Sequence, residues 1–439
     1  MADMKSGAYS SWGNYPRVEH SSVHKMYWTD QVKGIVDASP PQSLLAYGLG
    51  RSYGDSCLNQ GRSLIDCSRL NRILAFDKKT GHLRCEAGTS LDEILKIGVP
   101  QGWFLPVTPG TKFVTVGGAI ANDVHGKNHH RAGCFGNHVR SIRLLRSDCG
   151  PVTCSPQENA DMFSATIAGL GLTGIILSAE IQLRPISSSQ IESESIPFQS
   201  LDAFLQLSNE SDQAFEYTVA WIDCFSNENL RGIFFRGNHA ESGDLRPHRE
   251  PGIAVPFVMP EALLNRLTVG LFNSAYYGWN SLRSRKARTH YDSFFYPLDA
   301  VRRWNLIYGR KGLLQYQFVL PPGNTSALSM ILRTIREAGQ GSFLAVLKRF
   351  GAIASPGILS FPRPGLTLAL DFPVRGERTF RLMETLDRFV ADAGGALYPA
   401  KDARMSPHMF KLSFPRWKEF QEYIDPKLSS SFIRRVVTE

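Results

Sequence analysis

The sequence predicts an α+β protein of two domains, the second built on an antiparallel sheet. Three observations carry that expectation. Two glycine-rich stretches (47–55 and 106–145) lie among helix and strand signals in the first 190 residues. An internal strand–helix–strand repeat occupies residues 313–404. Between them, Pro185 and the serine-rich run 187–195 mark a boundary. A chain of 439 residues is long enough for two cores of ordinary size.

The apolar run 44–46 feeds the first loop, Tyr47-Gly-Leu-Gly-Arg-Ser-Tyr-Gly-Asp55. Its spacing, Gly48-x-Gly50-x-x-x-Gly54, departs from the dinucleotide fingerprint, and residues 56–61 do not start a helix. No Gly-Lys-Ser/Thr follows, which excludes a P-loop. Ser90-Leu-Asp-Glu93 has the capping-box pattern and starts a helix through about residue 98. The second loop carries Gly110, Gly117, Gly118, Gly126 and Gly133 among small residues, with His125, His129, His130 and His138 nearby. Glycine lets main chain approach a ligand closely, so the two loops read as an amide-lined site gripping a pyrophosphate from both sides. A helix over 161–170 and a strand over 175–183 complete this part.

Copy one of the repeat is strand 314–320, helix 326–338, a stop at Gly339 and strand 343–348; copy two is strand 366–372, helix 377–393, a stop at Gly394 and Gly395, and strand 396–401. Leu328, Ile331, Leu332 and Ile335, and Leu382, Leu386, Phe389 and Val390, follow helical spacing. The order βαββαβ is the ferredoxin-like arrangement, an antiparallel sheet with helices on one face. Period-2 alternation then puts Gln315, Gln317, Thr367 and Ala369 on the other face, with Lys348 and Lys401 at the ends of the return strands. Amides and lysines have no place in a dry core, so this face is the expected roof of an active site.

Composition bounds the partners. Hydrophobic content of 43% and charged content of 20% are those of a globular protein. No apolar run reaches the roughly 18 residues of a membrane span, and the N-terminus lacks a signal-peptide core. Cytoplasmic location is expected, with possible peripheral contact at the inner membrane. Seven cysteines without C-x-x-C or zinc spacing read as free thiols. The four histidines lack a completing carboxylate or cysteine, so no metal is expected. Net charge is +9, and Arg283, Arg285, Lys286 and Arg288 follow an apolar, aromatic stretch from Leu263 to Trp279. That pairing suits an anionic membrane surface or a phospholipid-like substrate; the alternative is a surface helix with a solvated basic end. No motif supports nucleic acid.

GLGRSYGD, TPGTKFVTVGGAIANDVHGKNHH and GLGLTGII (169–176) resemble the FAD-linked oxidases of the vanillyl-alcohol-oxidase (PCMH) type, and within them the polyprenylphosphoryl-ribose 2-oxidases. The likeness runs on through YPLD (296–299), LQYQF (314–318), SFLAVLKRFG (342–351), DFP (371–373) and YPAKDAR (398–404). It implies a two-subdomain FAD-binding domain (1–190), a substrate domain covering the flavin (191–395) and a C-terminal segment (396–439) returning to the first. FAD would be held by Gly48, Gly50, Arg51, Ser52, Tyr53, Gly54, Asp55, Gly110, Thr115, Val116, Gly117, Gly118, Asn122, Asp123, Val124, His125, Ile176 and Tyr398. Tyr53 stands where some relatives attach FAD through a histidine, so non-covalent binding is expected. Lys401, His125, Tyr53 and Gln317 would be catalytic. Which group takes the hydroxyl proton stays open among His125, Tyr53 and water.

Gln315, Gln317, Lys348, Phe295, Thr367 and Ala369 would contact substrate. Ala369 and Thr367 replace a cysteine and an asparagine of the mycobacterial enzymes, and Phe295 aligns with a pocket tyrosine, with Tyr296 beside it. The implied reaction is oxidation of the 2-hydroxyl of a polyprenyl-phospho-ribofuranose, with a short-chain dehydrogenase as the partner that completes epimerisation. The alternatives are oxidation of a soluble sugar alcohol or aldonolactone, and a flavin-binding sensor without turnover.

Overall fold

A computed structural model describes residues 9–226, 230–250, 252–282 and 285–437. The amino-terminal part holds two main sheets, besides a short pairing of Trp103–Phe104 with Arg184–Pro185. Leu44–Tyr47 and Ser22–Lys25 flank Ser63–Asp66 in a parallel three-stranded sheet. Ile73–Asp77, His82–Glu86, Ile175–Gln182, Val139–Arg146 and Gly150–Cys154 form an antiparallel five-stranded sheet in that order. The capping box forms as its residues dictate: Ser90 Oγ accepts from Glu93 N–H, and Glu93 reaches back to Ser90 N–H, at the head of Leu91–Gly98.

The expected helix over 161–170 is shorter, Ala160–Thr166. Ala168 and Leu170 adopt positive φ, which α-helix cannot accommodate, and turn the chain toward the strand at Ile175.

The remaining large sheet has eight strands. They are β1 (Gln190–Phe198), β2 (Tyr217–Ile222), β3 (Gly232–His239), β4 (Arg285–His290), β5 (Leu313–Leu320), β6 (Ala345–Phe350), β7 (Gly365–Pro373) and β8 (Ala396–Leu397), in the order β4-β1-β3-β2-β6-β7-β5-β8. Every pairing is antiparallel. The run 190–195, read as part of a serine-rich boundary, is the start of β1, because Ile191 and its neighbours pair on both edges. The repeat itself gives β5, α1 (Thr325–Glu337), β6, β7, α2 (Glu377–Asp392) and β8, with β8-β5-β7-β6 as the spatial order.

The last strand ends early. The expected strand 396–401 gives way after Leu397 to a 3-10 turn at Pro399–Lys401, because Pro399 cannot donate to a ladder.

One face of this sheet carries Ala220, Leu347, Leu368 and Phe318 into a core shared with Leu328, Ile331, Leu386 and Val390 of the two helices. The opposite face carries Trp221, Val346, Ala369 and Gln317 in one cross-strand row. A helix at Arg266–Ser281 lies over that second face, with Tyr276 against Trp221 and Phe272 against Phe343. Of the basic cluster read from sequence, Arg283 lies outside the described residues.

The C-terminal segment packs onto the parallel sheet: Leu428 bridges to Leu44, and Arg435 pairs with Asp55 at 2.7 Å and with Asp402 at 2.9 Å. All seven cysteines are free.

Candidate functional site

A cavity of about 320 Å³ lies between the two glycine loops and the polar face of the eight-stranded sheet. That is at the lower end of small-molecule and cofactor pockets, roughly 300–1,000 Å³. The first loop contributes Gly48, Gly50, Arg51, Ser52 and Tyr53, and the second Gly110, Thr115, Gly117, Gly118, Asn122, Val124 and His125. Ile176 and Tyr398 also line it, as do Gln315, Gln317, Lys348, Ala369 and Lys401.

The loops fit a phosphate-bearing ligand. No described residue accepts a hydrogen bond from the N–H groups of Leu49, Gly50, Arg51 and Ser52. Buried Arg51 Nε is likewise without a partner, while its guanidinium sits 4.1 Å from the Trp12 ring centroid. Unpaired donors facing a cavity await an acceptor. A Cβ at Gly48 would come within 2.6 Å of Thr115 Oγ1, the atom that caps Gly118 N–H, so the loops meet only because Gly48 has no side chain.

Six expected site residues do not line the cavity. Gly54 presses against the C-terminal segment, where a Cβ would lie 1.7 Å from the Asp402 carbonyl oxygen. Asp55 is the partner of Arg435, and Val116 is fully buried in the core of the five-stranded half. Asp123 accepts from Ser355 at 2.5 Å, Ser360 at 2.6 Å and Gly136 N–H at 2.8 Å, tying loop 351–361 down over the second glycine loop. Phe295 is buried among Phe104, Tyr217 and His239, and the Tyr296 hydroxyl shares a 2.6 Å hydrogen bond with the Thr108 hydroxyl. Neither aromatic reaches the cavity. Thr367 stands one bond behind it, accepting from Gln317 at 3.2 Å.

The polar face behaves as its alternation dictates. Gln317 lies opposite Ala369, Gln315 opposite Asp371, and Lys348 opposite Thr367. Gln317 Nε2 lies 3.0 Å from His125 Nε2, and Lys348 Nζ lies 3.1 Å from His125 Nδ1. Burial, reinforced by Lys348, holds the His125 ring well below the usual histidine range, so it is neutral. Burial beside Lys127 and Lys401 pushes Lys348 down to about 7. Lys401 Nζ sits 4.0 Å from the Tyr53 ring centroid. Burial lowers the Lys401 ammonium, and the nearby Asp371 carboxylate opposes that shift. Tyr53 is pushed well above the usual phenol range by burial.

The other histidines serve the scaffold. His129 Nδ1 accepts Gly351 N–H, and His130 and His138 each face a main-chain carbonyl.

Sequence reasoning missed Trp12, Leu298, Asp299 and Trp304 as cavity walls. It also missed Asp371, which is 1% exposed and accepts from the Gln315 amide at 2.5 Å. A lone carboxylate between Leu370 and Phe372 in a strand was the available signal for Asp371. Trp12 sits in a turn and Trp304 at the head of a short 3-10 helix, and no periodicity reports either position.

Residues 29–155 match the family described as FAD binding domain. The decaprenylphosphoryl-beta-D-ribose oxidase of Mycolicibacterium smegmatis is 37% identical over 90% of this chain and 89% of its own length. A Streptomyces coelicolor protein, described as an uncharacterized protein in the mprA 5' region, is 32% identical over 79% of this chain and 99% of its own. The Delta(24)-sterol reductase of Rattus norvegicus matches at 29% over 33% of this chain and 28% of its own length.

Proposed function

The chain belongs to the family of FAD-dependent decaprenylphosphoryl-ribose oxidases, and from that membership we propose that it oxidises the 2-hydroxyl of a polyprenyl-phospho-β-D-ribofuranose to the 2-keto intermediate. It is an FAD-dependent oxidoreductase acting on CH–OH groups. In this reading residues 1–190 hold the cofactor in two α/β subdomains, and residues 191–395 supply a ferredoxin-like sheet that roofs it. Residues 396–439 return to the first part and deliver Tyr398 and Lys401.

The observation that carries the reading is one cavity in which unpaired loop amides face Gln315, Gln317, Lys348 and Lys401. Bound FAD supplies the two-electron acceptor for oxidation of the carbon. The loop amides and Arg51 hold its phosphates without a covalent link. Lys401 places positive charge where negative charge develops during the reaction. Gln315 and Gln317 offer amides that orient the sugar hydroxyls, and Ala369 leaves space between them.

The hydroxyl proton needs an acceptor whose pKa lies near neutrality. His125 is too weak a base and Tyr53 too reluctant to ionise, because burial moves each away from neutrality. Lys348, at about 7, joins them as a candidate and is the better matched.

The 2-keto product requires a separate reductase of the short-chain dehydrogenase class. The polyprenyl tail brings the reaction to the cytoplasmic face of a membrane, and no helix among the described residues is long and apolar enough to cross one.

The test is anaerobic mixing of the FAD-loaded protein with a polyprenyl-phospho-ribose while the visible flavin band is followed. Bleaching by that lipid, and not by free ribose or alditols, is the expected result. Bleaching by a soluble polyol or lactone alone would overturn the lipid-linked substrate.

A further inference from the structure

The helix at Arg266–Ser281 is apolar on its outer side as well as its inner one. Its inward side buries Val269 and Asn273, and Asn273 donates to Asp223 at 2.9 Å and to the Ser342 carbonyl at 3.3 Å. Its outward side shows Leu267 at 69% exposure and Leu271 at 63%, one turn apart, with Leu282 at 85% just beyond the C-terminus. No charged residue occurs between Arg266 and Arg283. A surface helix of an ordinary globular protein presents charged and polar residues on its outer side.

A second apolar strip adjoins the helix. Ile253 at 68% and Phe257 at 62% exposure project from a segment whose main chain bonds to the stretch 302–306, through Val255 N–H to Arg302 and Met259 N–H to Leu306. Trp304 in that same stretch lines the cavity. Main-chain bonds thus tie the segment that carries Ile253 and Phe257 to the stretch that supplies a cavity wall.

We propose that this surface, Ile253, Phe257, Leu267, Leu271 and Leu282, is a membrane-docking face that inserts into the outer layer of an anionic bilayer beside the cavity. Two features favour lipid over a protein partner. The side chains stand proud of the surface and offer almost no hydrogen-bonding groups, whereas protein interfaces carry about one hydrogen bond per 100–200 Å². Exposed cations also lie on the same or adjoining segments: Arg266 heads the helix, Lys286 and Arg288 are on the strand that follows Leu282, and Arg302 and Arg303 are on the stretch paired with Ile253–Ala254. Apolar insertion combined with flanking Lys and Arg is how interfacial helices hold anionic membranes. The choice of lipid agrees with the lipid-linked substrate proposed above, although the patch itself stands on its own exposure and charge.

Co-sedimentation of the FAD-loaded full chain with vesicles tests it, using phosphatidylcholine alone or mixed with phosphatidylglycerol. The protein should pellet with the anionic vesicles and be released by salt. Leu267→Glu with Leu271→Glu should lower the bound fraction about tenfold or more. Ile97→Glu, at an exposed site elsewhere, should leave it unchanged. Both variants should bleach with detergent-solubilised polyprenyl-phospho-ribose as the parent does, which separates docking from chemistry. Failure of the parent to pellet with anionic vesicles overturns the docking face. So does self-association that the Leu267/Leu271 variant loses, which would assign the face to a second copy. Pelleting without any bleaching by the lipid would sink the substrate assignment and leave the docking face standing.

Discussion

Lys348 Nζ lies 3.1 Å from Nδ1 of His125, and the arrangement fixes how the ring can carry its proton. A charged lysine donates to Nδ1, so the neutral ring keeps its proton on Nε2 and Gln317 must turn its amide oxygen toward it. A neutral lysine can instead accept from Nδ1, and Gln317 then donates to Nε2. The pair therefore has two hydrogen-bonded states that interchange as Lys348 titrates near 7.

If Lys348 takes the hydroxyl proton, kcat/KM should rise through about pH 7 as the amine becomes free. Lys348→Met should remove that limb and lower kcat by about 10²–10³-fold. A pH profile retaining the limb in the variant would move the role to another group.

The same substitution should stabilise the FAD-free protein. Lys348 has a folded pKa of about 7, below its unfolded value. Between those values the unfolded chain binds the extra proton, so the lysine's contribution rises with pH and its penalty is greatest below about 7. Lys348→Met should therefore raise stability at pH 6 by about 1–3 kcal/mol, with a smaller gain at pH 9. Urea melts at the two pH values measure this. An equal effect at both would mean that the ammonium is not penalised by burial.

Asp371 lies behind the cavity wall and is the carboxylate that sustains the Lys401 charge. Tyr308, Gln315 and Tyr53 are its other polar neighbours, and the Lys401 charge in turn helps to lower Lys348. Removing the Asp371 charge should let Lys401 deprotonate at lower pH. Asp371→Asn should move the alkaline limb of flavin reduction down by roughly one pH unit or more. Glutamate at this position should restore part of it. An unmoved limb would separate Asp371 from Lys401.

Gly48 and Thr115 make the cofactor loops a single unit. Gly48→Ala brings a methyl group 2.6 Å from Thr115 Oγ1, so either the Gly118 cap breaks or the first loop retreats. Loss of a cap costs about 1 kcal/mol, and a retreating loop withdraws the unpaired amides from the phosphates. The purified variant should lose most of its yellow colour. The parent should release all its flavin into the supernatant on acid precipitation, since Tyr53 offers no histidyl linkage; colour retained in the pellet would contradict non-covalent binding.

The polar sheet face was legible because alternation is strict: Gln315 and Gln317 share a face of one strand, Thr367 and Ala369 a face of the next, and the register Gln317 opposite Ala369 puts all four on the same side. The two glycine loops were legible because only glycine tolerates such close approach. Phe295 failed for the opposite reason. Its aligned position carries no periodic constraint, and the short helix at Tyr291–Phe295 turns it into the aromatic core with Phe104 and Tyr217. Lys401 reached the site by a route that the repeat did not foretell, since Pro399 ends the strand and a 3-10 turn presents the lysine. The apolar, aromatic stretch from Leu263 to Trp279 reads as a membrane-facing segment or an inward-packing surface helix, and nothing in its spacing reveals that Asn273 is among the buried residues while Leu267 and Leu271 face out.

Arg435 closes the structure. It donates to Asp55 at 2.7 Å and to Asp402 at 2.9 Å, so one guanidinium joins the first glycine loop to the segment that carries Lys401. Both carboxylates are nearly buried, at 4% and 7% side-chain exposure, while Arg435 keeps 27%. Removing the cation leaves two acids close together in a low-dielectric setting, and breaking a buried pair costs about 3–5 kcal/mol. Partial exposure of the guanidinium discounts that figure, so Arg435→Met should destabilise by about 2–3 kcal/mol. Because Tyr53 N–H bonds to the Ala400 carbonyl at 2.9 Å, loosening this clasp should also displace Tyr53 from Lys401. Urea unfolding should register the loss of stability, and flavin reduction should slow in the fraction that remains folded. A variant equally stable but slow would make the clasp purely a positioning device. One unstable but fully active when folded would make it purely structural.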